Sequence, residues 1–408
     1  MPFHHNDFCR ICKSKDLAMF FSLGKMPPSN SFVPREKLSE EKFYPLEVYF
    51  CRNCKMVQLL DVVEKEEIFC NYTYFSSTSA PLVEHFKGYA KDVSGRFLKN
   101  GELVVEIGSN DGVLLQFFKE NQKVVGVEPA ANVAQVARGR GINTINNFFD
   151  EGVAEKILKE YGKAKVMACN NAFAHIDDID KIVRGIKMLL ADDGVYVFEV
   201  QYLPDLINQK QFDMIYHEHL LYYTLNPAIE LFKRFGMDVF DVEKVSTHGG
   251  SIRVFVCKNG AYKKNGNVDK MLEYESASGF YDLKTFEKFG EDIKNLKKAA
   301  VEFIRNLRND GKRIIGYGAP AKGNTMLGFF GFGPEDIEYI TDNTPAKIGL
   351  LTPGTHIPVV SNDVLKTDTP DYALLLIWNY KEAVLKREDA LRKKGMKFIV
   401  LLPTIEVL

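Results

Sequence analysis

The chain reads as an α/β protein with two doubly wound sheets behind a small metal-binding lobe, and three observations predict it. Two Cys-x-x-Cys pairs stand near the start, Cys9 with Cys12 and Cys51 with Cys54. Apolar strand-like runs then alternate with helical segments in two separate blocks. Each block opens on a strand followed at once by a glycine-bearing turn, at Gly108 and again at Gly318. Such alternation marks parallel sheets with crossover helices. The reading places a lobe over residues 1–70, a first sheet domain over 71–258, a helical connection over 259–295 and a second sheet domain over 296–408.

Composition narrows the function. The 408 residues are 46% hydrophobic and 26% charged, with 53 basic against 54 acidic side chains and a formal net charge of -1. That balance describes an ordinary globular protein and gives no electrostatic case for nucleic acid or an anionic membrane as partner. No basic start with an apolar run opens the chain, and no apolar stretch is long enough to span a bilayer, so a cytoplasmic protein is expected.

In the lobe, each Cys-x-x-Cys bends as a knuckle that offers two sulfurs to one ion, and two knuckles complete a closed thiolate site for structural zinc. The seven cysteines are an odd number, and tight pairs in a reducing compartment favour metal over disulfides. The 38 residues between the pairs include Pro27, Pro28 and Pro34 and are expected to form a loop or arm. After the lobe, residues 71–79 concentrate hydroxyls and aromatics; Tyr72, Tyr74, Ser76 and Ser77 either lead into a helix near residues 81–97 or line a pocket.

The run Leu103-Val-Val-Glu-Ile-Gly-Ser-Asn-Asp-Gly112 is a buried strand, an acid and a turn, with a helix expected over 113–120. A second buried strand ends at Glu128, 20 positions beyond Gly108, where an acid takes ribose hydroxyls in nucleoside-binding halves of such sheets. The turn lacks the Gly-x-Gly-x-x-Gly that pyrophosphates favour. A nucleoside cofactor without phosphates, such as S-adenosylmethionine, fits it better. Candidate cofactor contacts are Glu106, Gly108, Ser109, Asn110, Asp111, Gly112, Glu128 and Pro129, joined by Asn170, Asn171 and His175 at the end of the strand beginning near residue 165. His175 serves equally as a cap.

Tyr216-His217-Glu218-His219 places two of eight histidines and a carboxylate within three positions. Imidazole titrates nearest working pH, so this stretch reads as a proton-handling site. Helix 225–236 and strands 238–245 and 251–257 close the first sheet domain. Between those strands, Thr247-His-Gly-Gly-Ser-Ile-Arg253 makes His248 and Arg253 candidate substrate contacts. A polar connection over 258–291 and a helix ending near Asn309 lead to strand 313–317. The glycine-rich turn after it offers Tyr317, Lys322 and Asn324, with Lys322 near a helix N-terminus suited to a substrate phosphate. Asp342 ends the next strand in the place of a ribose-binding acid, so an NAD-dependent oxidoreductase or epimerase competes. A zinc-bearing nucleotide-sugar sensor is the non-enzymatic rival.

With lobe, Glu-Ile-Gly turn, Tyr-His-Glu-His and Gly-Tyr-Gly-Ala-Pro-Ala-Lys-Gly in this order over nearly the full length, the chain resembles the zinc-containing S-adenosylmethionine-dependent sugar C-methyltransferases. The resemblance implies a class I methyltransferase domain at the centre and a Rossmann-like C-terminal domain that helps bind a nucleotide-linked 4-keto-deoxysugar, methylated most often at C3. It implies zinc on Cys9, Cys12, Cys51 and Cys54, and proton transfer by His219 with Glu218 and Tyr216 in support. One of Tyr72 and Tyr74 is similar to a tyrosine the family places near the sugar. On this reading Glu218 or Tyr216 orients the His219 imidazole, and His217 or a nearby donor stabilises an enolate oxygen.

Overall fold

Both Cys-x-x-Cys segments fold as tight turns in the computed structural model, which describes residues 3–69 and 75–408. The Cys9 and Cys51 carbonyls accept the N–H groups of Lys13 and Lys55, each at 2.9 Å. Both lysines take left-handed backbone, at φ 63° and 69°, which turns the chain back immediately after the second cysteine of each pair.

The segment between the pairs is no loose arm. Leu17–Met26 and Tyr44–Cys51 form an antiparallel pair, and the latter alternates buried and half-buried residues as a one-sided strand should. Pro27, Pro28 and Pro34 lie in the connection, where Pro34 precedes a short 3-10 turn over Arg35–Glu40, and Pro45 stands second in the strand that follows. Proline stops strands without preventing those on either side. The lobe's four-stranded sheet takes its last member from elsewhere: Val57–Leu59 pairs antiparallel with Leu221–Tyr222, two residues beyond His219.

The central domain holds a seven-stranded sheet. From one edge its strands are Thr144–Ile145, Lys123–Val127, Leu103–Ile107, Ala164–Asn170, Leu190–Gln201, Ser251–Lys258 and Met237–Val245. The first five run parallel and Ser251–Lys258 is antiparallel to both its neighbours. Strand order therefore reverses between Leu103–Ile107 and Ala164–Asn170, which opens a ligand crevice at their carboxyl ends. The helix expected over 113–120 is only a 3-10 turn, Leu115–Phe117. Its apolar residues, Val113, Leu114, Leu115 and Phe118, are all buried, so packing rather than helical pattern shapes them.

Two helices fill the connection, Gly266–Ala277 and the 27-residue Leu283–Asn309. The longer one runs unbroken through the boundary drawn at 295. It lies on the lobe so closely that a Cβ at Gly290 would come 3.1 Å from the Phe20 carbonyl oxygen. The C-terminal sheet is ordered Val359–Ser361, Ile340–Asp342, Ile314–Tyr317, Tyr372–Leu375, Lys397–Val400, Glu406–Val407, parallel except for the last strand. Its order reverses between Ile314–Tyr317 and Tyr372–Leu375. One continuous apolar core joins the lobe, one face of the central sheet and the C-terminal sheet.

Candidate active site

The metal site is complete. All four Sγ atoms lie within 4.8 Å of one another, with Cys9 and Cys54 at 3.5 Å and Cys12 and Cys51 at 3.6 Å. Tetrahedral zinc with bonds of about 2.3 Å needs sulfur separations of about 3.8 Å, so the cluster fits, and four thiolates leave no open position. The knuckles are anchored to the central domain. Buried Arg10 donates to Asp177 at 2.8 Å, and Asn226 donates to the Cys54 carbonyl at 3.2 Å.

The crevice of the central sheet begins at Gly108, whose φ of 68° and whose closeness to Ala172 Cβ, 2.7 Å from where its own Cβ would stand, exclude any side chain. Glu128 clamps the turn: its carboxylate accepts from the Asn110 and Ala130 N–H groups, each at 2.9 Å. Asn110 in turn accepts from the Ser76 N–H at 2.9 Å, and Arg140 ties Asp111 to Ser77. Ser109 occupies the space beside Gly126, where a Cβ would come 2.5 Å from its Oγ. Asn146 holds the Pro129 carbonyl at 2.8 Å, and Asn171 sits in left-handed backbone beside Asn170.

Around this turn, Ser109 Oγ and Asp111 Oδ1 are buried without a hydrogen-bond partner among the described residues, and Asn170 is buried beside Glu106 and the Tyr89 hydroxyl. Such orphans call for a polar ligand. Burial pushes the Glu106 carboxyl well above its usual range, and the Glu128 and Asp111 charges add to the effect. A crevice crowded with carboxyls and holding Arg140 as partner of Asp111 suits a cationic ligand. S-adenosylmethionine, with its sulfonium and ammonium, fits.

The residues 171–175 connect that crevice to the histidines. Ala172 lies against Gly108, the Ala174 carbonyl accepts from the Leu220 N–H at 2.9 Å, and the His175 ring stacks on His219 with centroids 5.0 Å apart. His175 thus lies beside the predicted base. Tyr216 covers the same imidazole at 4.0 Å. His219 Nδ1 is 2.8 Å from the Met214 carbonyl oxygen. A carbonyl only accepts, so the proton is on Nδ1 and Nε2 keeps its lone pair. Burial, with His175 and His248 nearby, lowers the His219 pKa well below the ordinary imidazole value, so the ring is neutral at working pH.

The reversal point of the C-terminal sheet meets the segment just before the histidines. Lys322, in helix Ala321–Phe330, bonds to Asn379 and lies 4.2 Å from the Trp378 ring centroid. Trp378 donates its indole N–H to Asp213 at 2.7 Å, and Asp213 Oδ1 is buried without a partner among the described residues. Burial brings the Lys322 pKa down to about 8, opposed by the Asp213 charge. Asp342 repeats the role of Glu128, accepting from the Ala319 N–H at 2.7 Å.

Several side chains expected at the site have partners elsewhere in the protein. Glu218 accepts from Asn30 of the lobe at 2.6 Å, and the His219 Nδ1 it was expected to hold is bonded to the Met214 carbonyl instead. His217 faces the lobe as well, donating from Nε2 to the Pro45 carbonyl at 3.2 Å and lying edge-on to Tyr44, so that N–H is already engaged. Successive side chains of an irregular loop point apart, which sequence spacing conceals. Arg253 is buried in an ion pair with Glu199 at 2.7 Å and over Tyr89, and is not available to a substrate. Tyr317 bonds Glu388 and Arg387 within the C-terminal domain. Asn324 turns toward the lobe and donates to the Ser29 carbonyl at 2.7 Å. Tyr72 and Tyr74 lie outside the described residues.

Sequence reading missed the buried network under the cleft, in which Glu199 accepts from Arg253 and lies 2.8 Å from His85 Nε2. A carboxylate inside an otherwise apolar strand, Val195-Tyr-Val-Phe-Glu-Val, was the available signal. Asp213, Trp378 and Asn379 were missed too and carry no local pattern.

Fold and crevice define an S-adenosylmethionine-dependent methyltransferase with a zinc-binding lobe. Family models match in three successive pieces: a zinc binding domain over residues 9–69, a methyltransferase domain over 84–242 and a C-methyltransferase C-terminal domain over 246–403. The chain is 36% identical over 406 residues to the C-methyltransferase NovU of Streptomyces niveus, covering 98% of this chain and 97% of that one. It therefore belongs to the zinc-binding C-methyltransferase family, and it is a C-methyltransferase. It is also 26% identical over 107 residues to the uncharacterized methyltransferase YcgJ of Bacillus subtilis, across 25% of this chain and 42% of that one. The crystal structure of the Bacillus YcgJ protein matches 43% of this chain and 99% of its own at 14% identity, with a TM-score of 0.34. Family membership replaces the oxidoreductase and sensor readings. No helix among the described residues is long and apolar enough to cross a membrane.

Proposed function

We propose that the enzyme methylates carbon next to the ketone of a nucleotide-linked 4-keto-deoxysugar, at C3, with His219 as the base. The observation that carries this reading is the neutral imidazole of His219, held by Met214 with its Nε2 lone pair free for a proton, beside the crevice that begins at Gly108. S-adenosylmethionine supplies an electrophilic methyl on sulfur. Carbon attacks such a methyl only as a nucleophile, and a ketone beside it makes one accessible by spreading charge onto oxygen as an enolate.

In this reading His219 Nε2 removes the C3 proton, while Tyr216 and His175 pack against the ring. Glu106, Glu128 and Asn170 hold the cofactor, and the protein's main service is orientation of the two reactants. Lys322, backed by Trp378 and Asn379, receives the anionic diphosphate. The contact of Trp378 with Asp213, which brings the reversal point of the C-terminal sheet to the segment just before His219, supports this.

The test is a panel of nucleotide-linked 4-keto sugars incubated with labelled S-adenosylmethionine and read by mass spectrometry, followed by NMR of the product. A new C–CH3 at C3 is expected. Methyl on oxygen or nitrogen, or no product from any keto sugar, rejects the reading.

A further inference from the structure

We propose that His248 donates a hydrogen bond from Nε2 to the substrate's ketone oxygen, holding the negative charge that builds there as His219 takes the neighbouring proton. This rests on the keto-sugar reading and fills the role that His217, fixed to the lobe, does not perform.

The residue is presented at some cost. His248 sits in left-handed backbone, at φ 54° and ψ 26°, a conformation that side chains disfavour. The following residues sustain it: Gly249 and Gly250 have φ of 85° and 120°, and Gln209 and Gln211 both donate to the Gly249 carbonyl, at 3.0 and 2.9 Å. The ring they display has an enclosed Nε2 with no hydrogen-bond partner among the described residues. A strapped, strained loop ending in an unpartnered imidazole nitrogen is poorly explained by packing alone.

Its position suits the role. The loop closes the turn before Ser251, which pairs with Gln201 at the carboxyl edge of the central sheet. His248 lies within electrostatic reach of His219 on one side and of Lys322, Glu199 and His85 on the other. Burial brings its pKa down to about 4, so the ring is neutral at working pH and donates without surrendering its proton.

The electrons balance as follows. As His219 Nε2 accepts the proton, the C–H pair becomes a C=C bond and the carbonyl π pair moves to oxygen, where the His248 N–H meets it. When carbon attacks the methyl, that pair returns to restore C=O, the new C–C bond forms and the C–S pair leaves on sulfur.

His248→Asn is the informative variant, since asparagine tolerates left-handed backbone and preserves the loop. Two rates are measured: exchange of the substrate C3 proton with deuterated water in the presence of S-adenosylhomocysteine, and methylation. Both are expected to fall by about 10²- to 10³-fold, the cost of one oxyanion donor, with KM and cofactor affinity little changed. His248→Gln, which restores an N–H at longer reach, is expected to recover part of the exchange. Exchange by His248→Asn at the wild-type rate, a loss confined to KM, or equal impairment of both variants overturns the proposal. Wild-type enzyme that neither exchanges nor methylates any keto sugar removes the keto-sugar reading, and this role with it; wild-type exchange with an undiminished variant removes this role alone.

Discussion

The Nδ1 of His219 donates to the Met214 carbonyl oxygen at 2.8 Å. A main-chain acceptor five residues upstream, rather than the adjacent Glu218, fixes which nitrogen is basic. Replacing His219 by Asn removes that lone pair and is expected to lower methylation at least about 100-fold, with affinity for S-adenosylmethionine unchanged by calorimetry. Because the pKa is held well below the ordinary imidazole value, the neutral base persists into mild acid. The kcat profile should therefore show no protonation step near pH 6.5.

The zinc lobe supports the loop that carries His219 directly, since Val57–Leu59 pairs with Leu221–Tyr222 just beyond it. Metal removal by a strong chelator should lower both the Tm and kcat, although zinc touches no reacting atom. Added zinc should restore both. A stripped protein with full kcat would show that the lobe is a separate body.

Gly108→Ala places a methyl 2.7 Å from Ala172 Cβ and forces a side chain into left-handed backbone. We expect cofactor affinity to weaken more than tenfold, together with about 1–2 kcal/mol of stability lost to backbone strain. Isothermal titration and thermal melts measure the two.

Lys322 is cationic below its pKa of about 8 and loses that charge above it. With an anionic substrate, KM should rise as pH passes upward through about 8. Lys322→Met should bind weakly at every pH and lose the dependence, while cofactor affinity holds. A KM that follows the same pH curve in both proteins contradicts the phosphate role.

His217 is buried neutral, its pKa lowered by burial to about 4. Below the unfolded value near 6.5 the unfolded chain binds the extra proton, so stability is full above pH 6.5 and falls as pH drops toward about 4. His217→Gln should flatten that acid limb, by up to roughly 3 kcal/mol at its lower end, as read by urea melts across the range.

What the amino-acid order alone determined is local and periodic. Two Cys-x-x-Cys pairs, strand runs that end in Glu106 and Glu128, and glycines at 108 and 318 are legible because each needs only neighbours within a few positions or a repeat of known spacing. Tertiary structure alone decided how Tyr216 to His219 divide their labour, with His219 toward the cleft and His217 and Glu218 clamped to Pro45 and Asn30. It alone brought Asp213 to Trp378, 165 positions away, and Arg253 to Glu199. The physical reason is that a loop side chain's direction and the partner of a buried charge depend on which distant elements pack against them, and no short-range pattern records that.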